Sequence, residues 1–207
     1  MTPARLAAVL GEPPVPDGTW AGEAAYVSPA ALRRGVPAAD LAGRLRGLAG
    51  VTRAEALPNG FVRVVVEVPG ALLDDLDPPA LADPGWPDLP RTWENPGFVV
   101  RYGHARAVAV RRWARELGVP ASGFRPELLT SPYDRAVLRV LAELPGRAAS
   151  RDPGWEAWLV RLALAYHDAH EHAPAVPMGD ASPEPVHTAR VRLAGAVESV
   201  LTGPDRI

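Results

Sequence analysis

The sequence lacks cysteine altogether. This absence excludes disulfides, thiolate metal sites and a cysteine nucleophile, and it is typical of proteins kept in a reducing compartment. The sequence also has no uninterrupted apolar run of about 18 residues, the length that a membrane span requires. Its first residues, MTPARLAAVLGEPP, lack the basic segment and apolar run of a signal peptide. We therefore expect a cytoplasmic protein without a membrane span.

Lysine is absent as well, and all 22 basic residues are arginine. This usage is typical of a GC-rich genome, although arginine also binds phosphate with two parallel hydrogen bonds, which lysine cannot do. The phosphate-binding pattern G-x-x-x-x-G-K-[ST], the dinucleotide pattern G-x-G-x-x-G and the nucleophile pattern G-x-S-x-G are all missing. The sequence therefore predicts neither an enzyme nor a cofactor site.

Charge is distributed unevenly along the chain. The formal net charge is -2, yet residues 96–151 contain ten arginines and four acidic residues, a local excess of six positive charges. Binding of a polyanion depends on such local potential and not on the total charge. The composition thus leaves nucleic-acid binding open.

Local patterns predict an α+β protein with a small α/β domain followed by an all-helical domain. In residues 1–70, helix signals cover 3–10 and the stretch after Pro37, and the strands 51–56 and 61–68 flank an Asn59-Gly60 turn. Residues 71–95 are rich in proline and acids, which indicates a linker without regular structure. The remainder, 96–207, shows four helix patterns, at 98–117, 131–144, 153–172 and 185–201.

The first of these helices is amphipathic at 100° per residue. One sector, called the arginine stripe below, contains Arg101, His104, Arg111, Arg112 and Arg115. An opposite sector, predicted to be the core face, contains Phe98, Val99, Tyr102, Ala109, Val110 and Trp113. Like charges on one helix face repel each other, so the stripe is either a phosphate-binding surface or a solvated face paired with the acidic linker.

Arg106 and three histidines need separate explanations. Arg106 falls on the apolar side of the helix, where an unpaired guanidinium is costly, so we expect it to have a structural role. His167 and His170 are three residues apart and share a helix face, whereas His172 does not. Since two histidines alone do not make a metal site, we interpret this stretch as solvated helix surface and predict no metal.

The stretch NPGFVVRYGHAR resembles the start of the C-terminal domain of arginyl-tRNA synthetases. The match falls on Asn95, Pro96, Tyr102, His104, Ala105 and Arg106, with Gly103 in place of the family's usual alanine. The helix patterns that follow, up to TARVRLAGAVESVLTG at 188–203, resemble the rest of that DALR-type anticodon-binding helical bundle. Residues 24–47 with 59–68 are similar to the family's additional N-terminal domain, which contacts the tRNA elbow.

The resemblance implies a partner but not the family's reaction. Between the two similar regions the family has a catalytic nucleotide-binding fold, and the 25 residues of 71–95 cannot contain one. We therefore expect a non-catalytic protein that binds tRNA or another structured RNA through the arginine stripe, with Tyr102 and Arg106 in structural roles. The alternative is a protein-interaction or regulatory module of the same origin that does not bind RNA.

Overall fold

A computed structural model describes residues 1–79, 81 and 84–201. Within these residues the protein is α+β, as predicted, with an antiparallel sheet of four strands and eight α-helices. Parts of the predicted linker (Ala80, Ala82 and Asp83) and the end of the predicted helical domain (202–207) lie outside the described residues. None of the described helices is both long and apolar enough to cross a membrane.

Helix α1, Pro3–Leu10, begins and ends where the sequence predicts. The Thr2 side chain accepts a hydrogen bond from the backbone N–H of Arg5 (3.3 Å) and so satisfies one of the free donors at the helix start. Gly11 ends the helix in the left-handed region, at a φ of 82°. Local sequence signals alone account for this helix.

The sheet has the order β1-β2-β4-β3, and all its pairs are antiparallel. The strands are β1 Val15–Asp17, β2 Ala24–Ser28, β3 Val51–Ala56 and β4 Val62–Val66. The predicted β3–β4 hairpin is confirmed: Ala56 pairs with Val62, and Gly60 takes a φ of 79° in the turn between them. The sequence did not predict β1 and β2, where short segments containing Pro16 and two alanines give little strand signal.

Two helices, α2 Ala30–Arg33 and α3 Ala38–Arg46, accompany the sheet. Leu41 and Leu45 on α3 are buried in the core, and α3 packs against β3 and β4. Each of these leucines removes an entire aliphatic side chain from water, which stabilises by roughly 1.5–3 kcal/mol.

The helical part consists of α4 Pro96–Glu116, α5 Pro132–Leu141, α6 Leu144–Ala148, α7 Trp155–His172 and α8 Pro185–Val200. Helix α4 packs against both α7 and α8, and α5 packs against α7. The predicted helix at 131–144 is divided in two, since α5 ends at Leu141 and Pro145 lies in the first turn of α6. This division is consistent with proline, which fits a first helical turn but not a helix interior.

The segment between the two parts is more ordered than its composition suggests. A 3₁₀ helix covers Pro69–Asp74, with Leu72 and Leu73 buried in the core. At the other end, the Asn95 side chain donates hydrogen bonds to the carbonyls of Pro87 (3.1 Å) and Pro90 (2.9 Å). The prediction that residues 71–95 lack regular structure is therefore wrong at 71–74, where the burial of Leu72 and Leu73 accompanies a turn of 3₁₀ helix.

The sheet part and the helical part contact each other directly through α5. Arg135 donates to the carbonyls of Ala21 (3.3 Å) and Gly22 (2.8 Å), and Arg139 donates to that of Gly18 (2.7 Å). The buried apolar residues of both parts form one continuous cluster.

Candidate nucleic-acid interface

Helix α4 is the element that carries the predicted site. It starts at Asn95, whose side chain accepts a hydrogen bond from the backbone N–H of Gly97 (2.9 Å), with Pro96 in the first position. The buried residues of the helix are Gly97, Val99, Val100, Gly103, Ala107, Val110 and Ala114. A row of mostly small side chains therefore faces the core.

The predicted core face is wrong for its aromatic members. Trp113 is 38% exposed, and Phe98 and Tyr102 are half-buried. A β-carbon at Gly103 would lie 3.2 Å from the β-carbon of Ala163 on α7, closer than nearly all contacts of this kind. The glycine thus permits the close approach of α4 and α7, and the bulky rings are left on the flank of α4. A helical wheel cannot distinguish these two apolar sectors.

The flanking rings form a group, called the aromatic cluster below, of Trp93, Phe98, Tyr102 and His167. The ring centroids of Trp93 lie 5.8 Å from Phe98, 5.6 Å from Tyr102 and 4.6 Å from His167. Phe98 and Tyr102 stack at 5.4 Å. The Trp93 indole is 49% exposed, so the cluster presents an aromatic surface to solvent. Trp93 is not among the site residues predicted from the sequence, although a tryptophan in a polar segment two residues before Asn95 is a usable signal.

Arg106 lies beside this cluster and is fully engaged. Its Nη1 is 2.7 Å from a carboxylate oxygen of Glu171 and 2.7 Å from Nδ1 of His167, and its guanidinium stands 4.5 Å from the centre of the Tyr102 ring. The hydrogen bond from Arg106 lowers the pKa of the Glu171 carboxyl. The partners that a half-buried guanidinium requires are thus supplied by α4 and α7.

The arginine stripe is not one continuous free surface. Arg101, only 19% exposed, donates to the carbonyls of Pro87 (2.7 Å) and Trp86 (3.4 Å) and lies 3.1 Å from the Asp88 carboxylate. The expected pairing of the stripe with the acidic linker therefore occurs at this residue. Because its donors are directed to the chain itself, Arg101 holds the segment 86–88 against α4.

The other members of the stripe differ in how much of their charge is neutralised. Arg111 pairs with Glu198 on α8 at 2.8 Å, and Arg112 lies 3.9 Å from Glu116. The Nε of Arg115 donates to the carbonyl of Arg111, and across the described ranges no carboxylate pairs with it. His104 is half-buried on the same helix. Arg112 and Arg115 are thus the members best able to receive a phosphate.

Two of the three histidines of α7, His167 and His170, are half-buried against neighbouring rings, whereas His172 is exposed. His170 is half-buried, with its ring 6.5 Å from Trp113 and 6.4 Å from Tyr166, while His172 stacks on Tyr133 at 4.5 Å. Burial, and then the nearby Arg106 charge, lower the pKa of His170. The interpretation as solvated surface is wrong for His167 and His170. In the part of the chain that the structure describes, no three His, Asp or Glu side chains are grouped to bind a metal ion.

Comparison with known proteins gives a partial relationship. The chain is 40% identical over 116 residues to the arginine–tRNA ligase of Clavibacter sepedonicus, a match that covers 54% of this chain and 21% of the ligase. The chain is therefore a partial relative of arginine–tRNA ligases and spans about a fifth of the length of this one. No family model matches the chain. No solved structure matches it either.

Proposed function

We propose that this protein binds tRNA, or another structured RNA, through the aromatic cluster and the adjoining arginines of α4. The observation that carries the proposal is the half-exposed Trp93 indole, held edge-on by Phe98 and Tyr102. Unpaired RNA bases stack on such rings, and each stack contributes about 1–3 kcal/mol whatever the base. An exposed tryptophan that is fixed by its neighbours is suited to this contact.

The arginines extend the surface along the helix. Arg112 is ten residues from Tyr102, or about 15 Å along the helix axis. At that distance Arg112 and Arg115 can donate hydrogen bonds to phosphates. Arg111 can exchange its exposed ion pair with Glu198 for an ion pair with a phosphate. Arg101 and Arg106 have structural roles in this proposal, since each is engaged by neighbouring groups.

The choice of tRNA rests on the relative, whose name contains this substrate. We further propose that this chain does not charge tRNA. Between its two regions of resemblance, residues 71–95 provide too few residues for a catalytic nucleotide-binding fold. The chain with ATP, arginine, magnesium and tRNA should give no pyrophosphate exchange and no aminoacylation, and turnover that persists after contaminating synthetase is removed would contradict this. We place the protein in the cytoplasm because it lacks cysteine.

Binding is tested by titrating the protein with labelled bulk tRNA at two salt concentrations. We expect binding at low salt, and about tenfold weaker affinity for Trp93→Ala, since one base stack is lost. Met178→Ala, which removes another exposed apolar side chain, serves as the control and should bind like the wild type. Absence of tRNA binding at low salt, or equal affinity of the Trp93 variant and the wild type, would overturn the proposal.

A further inference from the structure

A groove of about 710 Å³ lies between α4 and α8, on the side of α4 away from the aromatic cluster. Its apolar lining comes from both helices and from the loop after α4, and includes Val108, Ala114, Phe124, Val191 and Ala196. Gly195 also lines it, with open space beyond its α-carbon apart from the Arg111 side chain. The groove is therefore a concave, mostly aliphatic surface between two helices.

The charged residues that line this groove are predominantly positive. Arg111, Arg115 and Arg192 contribute three positive charges, and Glu198, the carboxylate paired with Arg111, contributes one negative charge. Arg192 donates one long hydrogen bond, of 3.5 Å, to the Leu73 carbonyl. Over residues 1–79, 81 and 84–201, neither Arg115 nor Arg192 pairs with a carboxylate. Two guanidinium groups thus have free donors beside an apolar surface.

The acidic segment before α4 also contributes to this groove. One wall is formed by Leu73, Leu76 and Pro78, which belong to the sequence LLDDLDPP at 72–79. Leucines and aspartates are interspersed in that segment. Leu73 and Leu76 line the groove, whereas the Asp75 carboxylate accepts a hydrogen bond from Thr2 and lies 3.9 Å from Arg5 on α1. Apart from this wall, the groove combines a mostly apolar lining with three arginines, which is complementary to a segment of leucines and acidic residues.

We propose that this groove binds an acidic amphipathic segment of a partner protein. Such a segment would place leucine-like side chains between α4 and α8 and its carboxylates on Arg115 and Arg192, as amphipathic helices do in apolar grooves. A protein segment fits better than RNA here, because the apolar lining is mostly aliphatic and its Phe124 ring is half-buried, whereas bases stack on exposed rings. The apolar part of the groove is separate from the aromatic cluster, and only Arg111 and Arg115 at its edge also belong to the proposed RNA surface.

The test uses a fluorescein-labelled peptide of about 14 residues, with leucine at i, i+3, i+4 and i+7 and glutamate at the other positions. Wild-type protein should bind it more tightly than a peptide with lysine in place of every glutamate. Gly195→Leu should fill the groove and weaken binding by about tenfold or more, because an apolar anchor is excluded. Leucine is a better helix former than glycine, so the substitution should not weaken α8.

Gly146→Leu is the matched control, because Gly146 is also a helical glycine with open space around it but lies outside the groove. It should bind the acidic peptide like the wild type. Arg192→Glu should weaken binding of the acidic peptide and strengthen binding of the lysine peptide. The proposal is overturned if the acidic peptide does not bind, if both peptides bind equally, or if Gly195→Leu binds like Gly146→Leu.

Titration of the same variants with tRNA separates this site from the RNA surface. Gly195→Leu should retain wild-type affinity for tRNA, and Trp93→Ala should retain wild-type affinity for the peptide. If Gly195→Leu instead loses affinity for tRNA and retains affinity for the peptide, the groove belongs to the RNA surface and the assignment to a protein partner is wrong.

Discussion

Arg106 on α4 and Glu171 on α7 form an ion pair of 2.7 Å across the contact between the two helices. The same guanidinium nitrogen also lies 2.7 Å from Nδ1 of His167, and the guanidinium stands over the ring of Tyr102. A single side chain thus joins α4 to α7 by two interactions, and its contact with Tyr102 lies within α4. This explains how an arginine can occupy the more apolar side of α4.

Replacing Arg106 with alanine should destabilise the protein by about 1–3 kcal/mol, because a charge-assisted hydrogen bond and a cation–π contact are lost together. Urea unfolding followed by circular dichroism measures the effect. Glu171→Gln should cost less, since the amide can still accept a hydrogen bond from the guanidinium and the Glu171 side chain is partly exposed. Equal stability of Arg106→Ala and the wild type would show that the pairing contributes nothing to the fold.

Glu143 should be a second position of unusual sensitivity. Its carboxylate accepts hydrogen bonds from Arg139 (2.5 Å), Arg147 (2.7 Å) and Arg161 (2.6 Å), and its side chain is only 11% exposed. Glu143→Gln leaves three guanidinium groups without their anion, and we expect a loss of about 1–3 kcal/mol in the free energy of unfolding. Glu127→Gln removes an exposed partner of Arg125 and should change the free energy of unfolding much less, because water screens such a pair.

The pH dependence of the Glu143 effect has a definite sign. Burial alone would raise the pKa of Glu143, but hydrogen bonds from Arg147 and Arg139 bring it below its ordinary value of 4.5. Its stabilisation is therefore present above about 4.5 and is lost as the pH falls through the lower, folded-state pKa. The difference between the wild type and Glu143→Gln should shrink in acid, and a difference that grows in acid would contradict this account.

His170 should reduce the stability of the protein at a pH nearer to neutral than the acid range in which Glu143 acts. Burial and Arg106 lower the pKa of His170 below its ordinary value of 6.5, while Glu171 partly opposes this. Below 6.5 the unfolded chain therefore binds a proton that the folded protein does not, so stability decreases from there down to the folded-state pKa. Unfolding at pH 7.5 and 5.5 should show a smaller decrease for His170→Phe than for the wild type. His172→Phe, at an exposed ring, is the control.

Elements with local signals could be predicted from the sequence, and elements set by distant partners could not. Helix α1 was predicted at both ends because its capping threonine, first-turn proline and terminal glycine lie within the helix or next to it. Strand β2 was missed because Ala24 and Ala25 have little intrinsic strand preference, and their place depends on pairing with Val65 and Val66 some 40 residues later.

The same distinction between local signals and distant partners explains how much of the candidate site could be predicted. Periodicity grouped the charged residues on one side of α4, but the partners of Arg101 and Arg111 lie elsewhere in the chain. Glu198, which neutralises Arg111, is 87 residues away, and the carbonyls that bind Arg101 belong to a segment without periodicity. A helical wheel gives the direction of a side chain but does not identify the groups that it contacts.

Trypsin should separate the segment before α4 from the helical part. Arg91 is exposed and lies outside any helix. Arg101 and Arg106 lie within α4, and each is bound by groups of neighbouring segments. Limited digestion should therefore cut after Arg91 before it cuts anywhere in α4, because cleavage requires accessible, locally unfolded backbone. Mass spectrometry of the early fragments identifies the site. A first cut within α4 would show that this helix is less stable than its packing implies.

Arg112, a proposed phosphate contact, should be replaceable at little cost to the fold. Its only carboxylate neighbour among the described residues is Glu116, 3.9 Å away on the same helix, and such exposed pairs contribute under about 1 kcal/mol. The logarithm of the tRNA affinity should fall linearly with the logarithm of salt concentration, and Arg112→Ala should make that slope shallower by about 0.7–0.9, the value for one phosphate contact. Every tRNA should lose affinity alike, because phosphate contacts do not distinguish sequence. Thermal stability should change by less than about 0.5 kcal/mol. Arg151→Ala, an exposed arginine in the bend before α7, should leave the slope unchanged. An unchanged slope in Arg112→Ala would mean that α4 does not face the phosphates, and RNA binding would then have to rest on the aromatic cluster alone.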